Sequence, residues 1–152
     1  MGTFDEALAR SRCLDGMRIL LVDDDEGVRD VLTAILCFYG ADAHSVGSPE
    51  EARARLAASH FDVLLSDIEM PLENGYDFIR SVRGSRRVSG IAAAAVTSCF
   101  STDECRDALD AGFDLVVGKP LDARTLVDAV RALVALTRLT ARRAVRSSIA
   151  GH

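Results

Sequence analysis

The sequence predicts a doubly wound α/β fold: a five-stranded parallel sheet in the order 2-1-3-4-5, with five helices shared between its two faces. Three observations predict it. From Met17 onward, short apolar runs alternate with segments of helical spacing, the pattern of repeated strand–helix units. The runs are continuously apolar rather than alternating, as in R-I-L-L-V and V-L-L, which fits strands covered on both faces. And the residues just past the runs are polar, where folds of this class bind ligands.

Each element has its own signal. Arg18–Val22 reads as the first strand, followed by an acidic cluster. Asp25–Tyr39 carries Val28, Val31, Leu32, Ile35, Leu36 and Tyr39 at helical spacing and stops at Gly40, a helix with a C-terminal glycine. Ala41–Val46 is a weaker strand. Ser48 before Pro49 supplies an N-cap with proline at the first helical position, and Glu51 completes a capping box for a helix to about Ser59. Phe61–Ser66 is the third strand and delivers Asp67; the loop 68–74 leads to a helix over Gly75–Arg83. Ile91–Val96 (I-A-A-A-A-V) is ambiguous because alanine favours helix; its shortness and its flanks, Gly90 and Thr97-Ser98, make it a strand. Ser101-x-x-Glu104 is a second capping box, opening a helix that ends at Gly112. Phe113–Val117 is the fifth strand, and the last helix starts at Asp122 with the stripe Leu126, Val127, Val130, Leu133 and Val134. These signals divide the chain into a leader (1–16), a domain (17–137) and a helical extension or tail (138–152).

The 152 residues suffice for one domain with a full core. Apolar residues make up 49% and charged ones 27%, excluding a disordered chain. A net charge of −5 argues against direct nucleic-acid binding, which favours a basic balance. The longest candidate span, Val88–Val96, is far too short for a membrane, and Met1–Arg12 has no apolar signal core, so a cytoplasmic location is expected. Cys13, Cys37, Cys99 and Cys105 form no C-x-x-C pair, and the three histidines are scattered; buried free thiols are expected rather than a zinc site.

The strand ends assemble a specific chemistry. They bring Asp23-Asp24-Asp25, Asp67, Thr97-Ser98 and Gly118-Lys119-Pro120 to one edge, because right-handed crossovers place strands one, three, four and five side by side. Two carboxylates about 4 Å apart repel by roughly 4 kcal/mol at an effective dielectric near 20. A hard divalent cation with oxygen ligands relieves that repulsion, and Mg²⁺ is the natural fit. Lys119 and Thr97 can meet phosphoryl oxygens, and Asp67, alone at its strand end, is placed as a nucleophile.

Taken together, I-L-L-V-D-D, V-L-L-S-D-I-E-M-P-L-E-N-G, A-V-T-S and V-G-K-P resemble the signature segments of response-regulator receiver domains, over about residues 17–137. The spacings, 30 residues from Asp67 to Thr97 and 22 from Thr97 to Lys119, are typical of that family. The resemblance implies a flavodoxin-like fold and a two-component phosphorelay switch rather than a multiple-turnover enzyme. It implies Asp67 as phospho-acceptor and Asp24 as direct Mg²⁺ ligand, with Asp23 acting through water and the backbone carbonyl of Glu69 as a further ligand. Thr97 and Lys119 would contact the phosphoryl group, and Lys119–Pro120 would be cis. The implied donor is a histidine kinase or histidine phosphotransfer protein, and the readout a protein–protein contact. The stretch L-D-G-M-R-I-L-L-V-D-D also resembles the junction before receivers of hybrid sensor kinases, so a stand-alone regulator and a piece of a hybrid kinase both fit. Residues 138–152 are too few for a helix-turn-helix output domain.

Singly, each signal has a plain structural explanation: an acidic run as a solvated turn, Asp67-x-x-x-Pro71 as a turn, Lys-Pro as a loop. None explains why every strand end is polar in the same way. A receiver-shaped module without phosphorylation is argued against by the intact acidic set. A haloacid-dehalogenase-type phosphohydrolase would use Asp23-x-Asp25, but Gly27 stands where that family has Thr or Val, no acidic pair follows Lys119, and Asp67 is left idle. The sequence departs from the receiver pattern at Val116, where an aromatic residue is usual, and carries Glu69 and Cys99 at positions that vary with phosphoryl lifetime. Arg131, Arg138, Arg142 and Arg146 share one stripe of the last helix, read as a solvated face or as a docking face, including one for a homodimer.

Overall fold

The computed structural model describes residues 12–98 and 101–150, with side chains through residue 139. Among these residues five strands alternate with five helices: β1 (Arg18–Val22), α1 (Glu26–Phe38), β2 (Asp42–Val46), α2 (Pro49–Ala58), β3 (Val63–Asp67), α3 (Gly75–Gly84), β4 (Ala92–Thr97), α4 (Thr102–Ala111), β5 (Leu115–Gly118) and α5 (Ala123–Ala150). The strands are parallel in the order β2-β1-β3-β4-β5, as the sequence predicts.

The continuous apolar runs feed two cores. Ile19, Leu21, Val63, Leu65, Ala94 and Val96 face the layer formed by α1 and α5, where they meet Leu32, Leu36, Leu126, Val130 and Leu133. Their neighbours Leu20, Val22, Leu64, Ala93 and Ala95 face α2, α3 and α4, meeting Leu56, Phe78, Ile79 and Ala108. Alternate residues point to opposite faces, so a strand between two helical layers is apolar at every position. This is also why the alanine run forms a strand: Ala92–Ala95 are at most 4% exposed, all four pair with β3, and Ala94 and Ala95 pair with β5 as well. Tertiary pairing overrides the helix preference of alanine.

Four expected strand starts move inward. Ala41, Phe61, Ile91 and Phe113 precede the residues that pair, although all four are buried. They close the N-terminal edge of the sheet with side chains, not with ladder hydrogen bonds. Hydrophobic pattern reports burial, and burial extends beyond the ladder.

The caps follow the sequence with one correction. Asp25 caps α1 by accepting from the Val28 amide, Ser48 caps α2 and Ser101 caps α4. In the α2 capping box the Glu51 carboxylate accepts from the amide of Gly47, 3.0 Å away, not from that of the cap residue Ser48. A second correction concerns the thiols. Cys37 is exposed and Cys13 and Cys105 are half-buried, all three free, because Cys37 sits beside the inward stripe of α1 carrying Leu32 and Leu36. Cys99 and the side chains of Arg142 and Arg146 lie outside the described residues; Arg131 and Arg138 are exposed. The last helix crosses position 137 without a break. Among the described residues no helix is long and apolar enough to cross a membrane.

Candidate functional site

The carboxyl ends of β1, β3, β4 and β5 meet at one edge of the sheet and bring the predicted polar residues together. Asp23 follows β1 and is 2% exposed; Asp67 and Thr97 end β3 and β4 at 7% and 1%. Asp24 is exposed. One carboxylate oxygen each from Asp23, Asp24 and Asp67 lies within 4.8 Å of the other two.

Lys119 enters from the end of β5. Its Nζ donates to Asp23 Oδ2 at 2.9 Å and stands 3.4 Å from Asp67 Oδ2. Its own amide donates to the Thr97 carbonyl at 2.7 Å, which extends the β4–β5 pairing and fixes where the side chain departs. The Lys119–Pro120 peptide is cis, as the resemblance implies.

The electrostatics follow from this packing. Burial pushes the Asp67 carboxyl above its ordinary value; the Lys119 charge opposes the rise and the Asp23 charge adds to it. Burial alone would lower the Lys119 ammonium, but its hydrogen bond to Asp23 and the Asp67 charge carry it above its ordinary value. Three carboxylates against one ammonium leave an excess of two negative charges. Each carboxylate pair repels by roughly 3 kcal/mol at this separation and a dielectric near 20. An oxygen-only donor set with that excess fits a hard divalent cation that keeps several waters.

Asp23 is tied at every polar atom. Its amide donates to the Val46 carbonyl, Oδ1 accepts from the Asp25 amide at 2.9 Å, Oδ2 accepts from Lys119, and its carbonyl accepts from Arg29 Nη1 at 2.8 Å. Asp24, by contrast, has an exposed carboxylate. On the far side, Asp67 Oδ1 accepts from the Glu69 amide at 3.3 Å. The loop between β3 and α3 returns tightly, Gly75 donating to the Ile68 carbonyl at 2.7 Å. A Cβ at Gly75 would collide with the Asp67 carbonyl and lie 2.8 Å from Ile68 Cα, so glycine is needed for the close approach. Arg53 holds the same loop through Glu73 with two 2.7 Å hydrogen bonds.

Sequence reasoning passed over Arg29, Arg53 and Glu73. Their partners are a backbone carbonyl and a residue 20 positions away, and neither leaves a local motif. Val116, at the position where an aromatic is usual, is half-buried against the core on the α2–α4 side.

Comparison with known proteins agrees with this arrangement. Residues 19–131 match the model of the response regulator receiver domain. The protein-glutamate methylesterase/protein-glutamine glutaminase 1 of Caulobacter vibrioides is 34% identical over 135 residues, which cover 87% of this chain and 39% of that protein. A probable histidine kinase 2 of Oryza sativa is 30% identical over 148 residues, covering 86% of this chain and 14% of that one. This chain thus spans well under half of either relative. Among solved structures, a CheY-like receiver domain protein from Methanospirillum hungatei superposes with a TM-score of 0.74 at 27% identity, over 82% of this chain and 98% of that one. With strand order, strand-end chemistry and family match in agreement, the chain belongs to the response-regulator receiver domains of two-component systems.

Proposed function

We propose that Asp67 is the residue that takes the phosphoryl group, that Asp23, Asp24, Asp67 and the backbone carbonyl of Glu69 hold a Mg²⁺ ion during transfer, and that Thr97 and Lys119 receive the transferred group. The observation that carries this reading is the meeting of three carboxylates within 4.8 Å beside a single ammonium. The cation, when bound, neutralises charge on the carboxylates and on phosphoryl oxygens.

The chain's own residues supply the rest. An Asp67 carboxylate oxygen forms the new bond to phosphorus as the bond from phosphorus to the donor's imidazole nitrogen breaks, and the electron pair leaves with the imidazole. Lys119, already 3.4 Å from Asp67, moves its donors to an incoming phosphoryl oxygen, and the Thr97 hydroxyl donates to another. Asp23, pinned through all its polar atoms, keeps the Lys119 side chain at the edge of the site, whereas the exposed Asp24 offers its carboxylate for direct coordination.

In this reading residues 17–137 are the functional unit, working in the cytoplasm. The donor is a histidine kinase or a histidine phosphotransfer protein, and the chain catalyses only its own phosphorylation and dephosphorylation. The charge placed on Asp67 then changes which protein binds the surface around it. A direct test is incubation with Mg²⁺ and acetyl phosphate, followed by intact-mass measurement. The parent gains one phosphoryl group, Asp67→Asn gains none, and omission of Mg²⁺ abolishes the gain. Equal uptake by the parent and Asp67→Asn removes Asp67 from the role.

A further inference from the structure

Arg29 lies outside the acidic cluster, yet it touches the one peptide group that joins two of its carboxylates. From the second turn of α1 its Nη1 donates 2.8 Å to the Asp23 carbonyl, the carbonyl of the Asp23–Asp24 peptide. The guanidinium also lies over Gly47, in the turn between β2 and α2: a Cβ built there would sit 3.0 Å from Nη1 and 3.6 Å from Cζ. That turn is held in its own right by the Glu51 carboxylate, which accepts from the Gly47 amide. A chain of contacts therefore runs from Glu51 through Gly47 and Arg29 to the peptide before Asp24.

We infer that Arg29, seated on the bare backbone of Gly47, is a positioning residue for the divalent cation: it sets the plane of the Asp23–Asp24 peptide and so aims the Asp24 carboxylate. The inference rests on the reading of the acidic cluster as a cation site. Its physical basis is the contrast between the two aspartates. Asp23 has other anchors on its carboxylate and amide, so loss of Arg29 leaves it in place. The exposed Asp24 depends on the backbone that carries it. Rotation of that peptide, once its carbonyl loses the guanidinium, swings the Asp24 side chain directly. A planar guanidinium can lie flat on a glycine and still donate along its edge, which a lysine ammonium cannot do. Partners that orient metal ligands without touching the metal typically contribute ten- to hundredfold in affinity, and such a role here belongs to Arg29.

The test measures Mg²⁺ binding to the full chain by titration calorimetry, with Mn²⁺ and water-proton relaxation as a second probe. Four proteins are compared with the parent: Arg29→Met, Arg29→Lys, Gly47→Ala and the double variant Arg29→Met/Gly47→Ala. Arg29→Met raises the Mg²⁺ dissociation constant about tenfold, and Arg29→Lys falls between it and the parent. Gly47→Ala, which displaces the guanidinium with a single methyl, raises the constant about threefold. The double variant matches Arg29→Met, because the alanine methyl has nothing left to displace; this non-additivity marks one shared contact. Metal-free melting of each variant separates loss of fold from loss of aim, and Gly47→Ala stands in if Arg29→Met does not fold. A folded Arg29→Met that binds Mg²⁺ within twofold of the parent overturns the inference. So does full recovery in Arg29→Lys, which would make charge alone the cause, or independent effects of the two substitutions. A parent that takes up no Mg²⁺ instead fails the reading of the acidic site itself.

Discussion

Asp67 illustrates how function and stability pull apart on a single side chain. Its carboxylate is nearly sealed from solvent, next to Asp23, and is compensated by the Lys119 charge and a long hydrogen bond from the Glu69 amide. Charge without full compensation destabilises the fold. In metal-free buffer at neutral pH, Asp67→Asn therefore melts about 2–4 °C above the parent, the shift expected for roughly 1 kcal/mol in a domain of this size. Saturating Mg²⁺ narrows or reverses the gap, because the cation binds the folded parent and stabilises it by mass action. Scanning calorimetry with and without Mg²⁺ checks this; a parent more stable than Asp67→Asn without metal refutes it. The residues of the cluster were legible in the sequence because each ends a short apolar run, although the alanine run before Thr97 had to be settled by its length and flanks. Arg29 was not, since an arginine on an amphipathic helix looks like any solvated one until the carbonyl it reaches is known.

The β3–α3 loop shows the same contrast one level up. Its extent, 68–74, was read from the sequence to the residue, since Asp67 ends a buried run and Asn74 caps α3. What braces it was hidden: Glu73 reaches back to Arg53 on α2 through a paired hydrogen bond. That hydrogen bond, with the guanidinium charge, holds the Glu73 carboxyl below its ordinary value against the opposing effect of burial. The folded state thus binds a proton less readily than the unfolded chain. Stability from this pair is fully present above the unfolded carboxyl value and is lost as the pH falls through the lower folded one. With Arg53 41% and Glu73 28% exposed, solvent screening limits the contribution to about 0.5–1 kcal/mol. Glu73→Gln should show that deficit in urea melts at pH 7 and converge with the parent as the pH falls through the lowered folded value of the Glu73 carboxyl; a deficit that widens in acid contradicts the assignment. The helices were read nearly to their ends because their caps are local chemistry. Strand starts moved because pairing is decided by the neighbouring strand, as at Phe61 and Phe113.

Across the molecule, the sheet divides the core in two, and α5 is the longest element serving either half. Among the described side chains of this helix the buried ones are Leu126, Val127, Ala129, Val130 and Leu133; Leu136 and Leu139 are 44% and 57% exposed. Leu139→Ala, at an exposed position, should move the melting midpoint by less than about 2 °C. Leu133→Ala, by contrast, removes a fully buried side chain and costs about 2–5 kcal/mol. A large destabilisation from Leu139→Ala would mean that the helix beyond Leu133 helps hold the fold. The fold order and the faces of α5 were plain from its apolar stripe; its reach was not, because the polar residues after Thr137 carry no signal that separates a continuing helix from a tail.

That reach has a mechanical meaning. The helix begins three residues after Pro120, beside the acidic edge, and by Thr137 it shares a cleft with Phe61, Ile91 and Ala92 at the opposite edge of the sheet. At 1.5 Å per residue its 28 residues measure about 42 Å, far more than the strands they cross. Tilting such a rod by about 5° at its rooted end carries its tip about 4 Å, one side chain's breadth, at the pole farthest from Asp67.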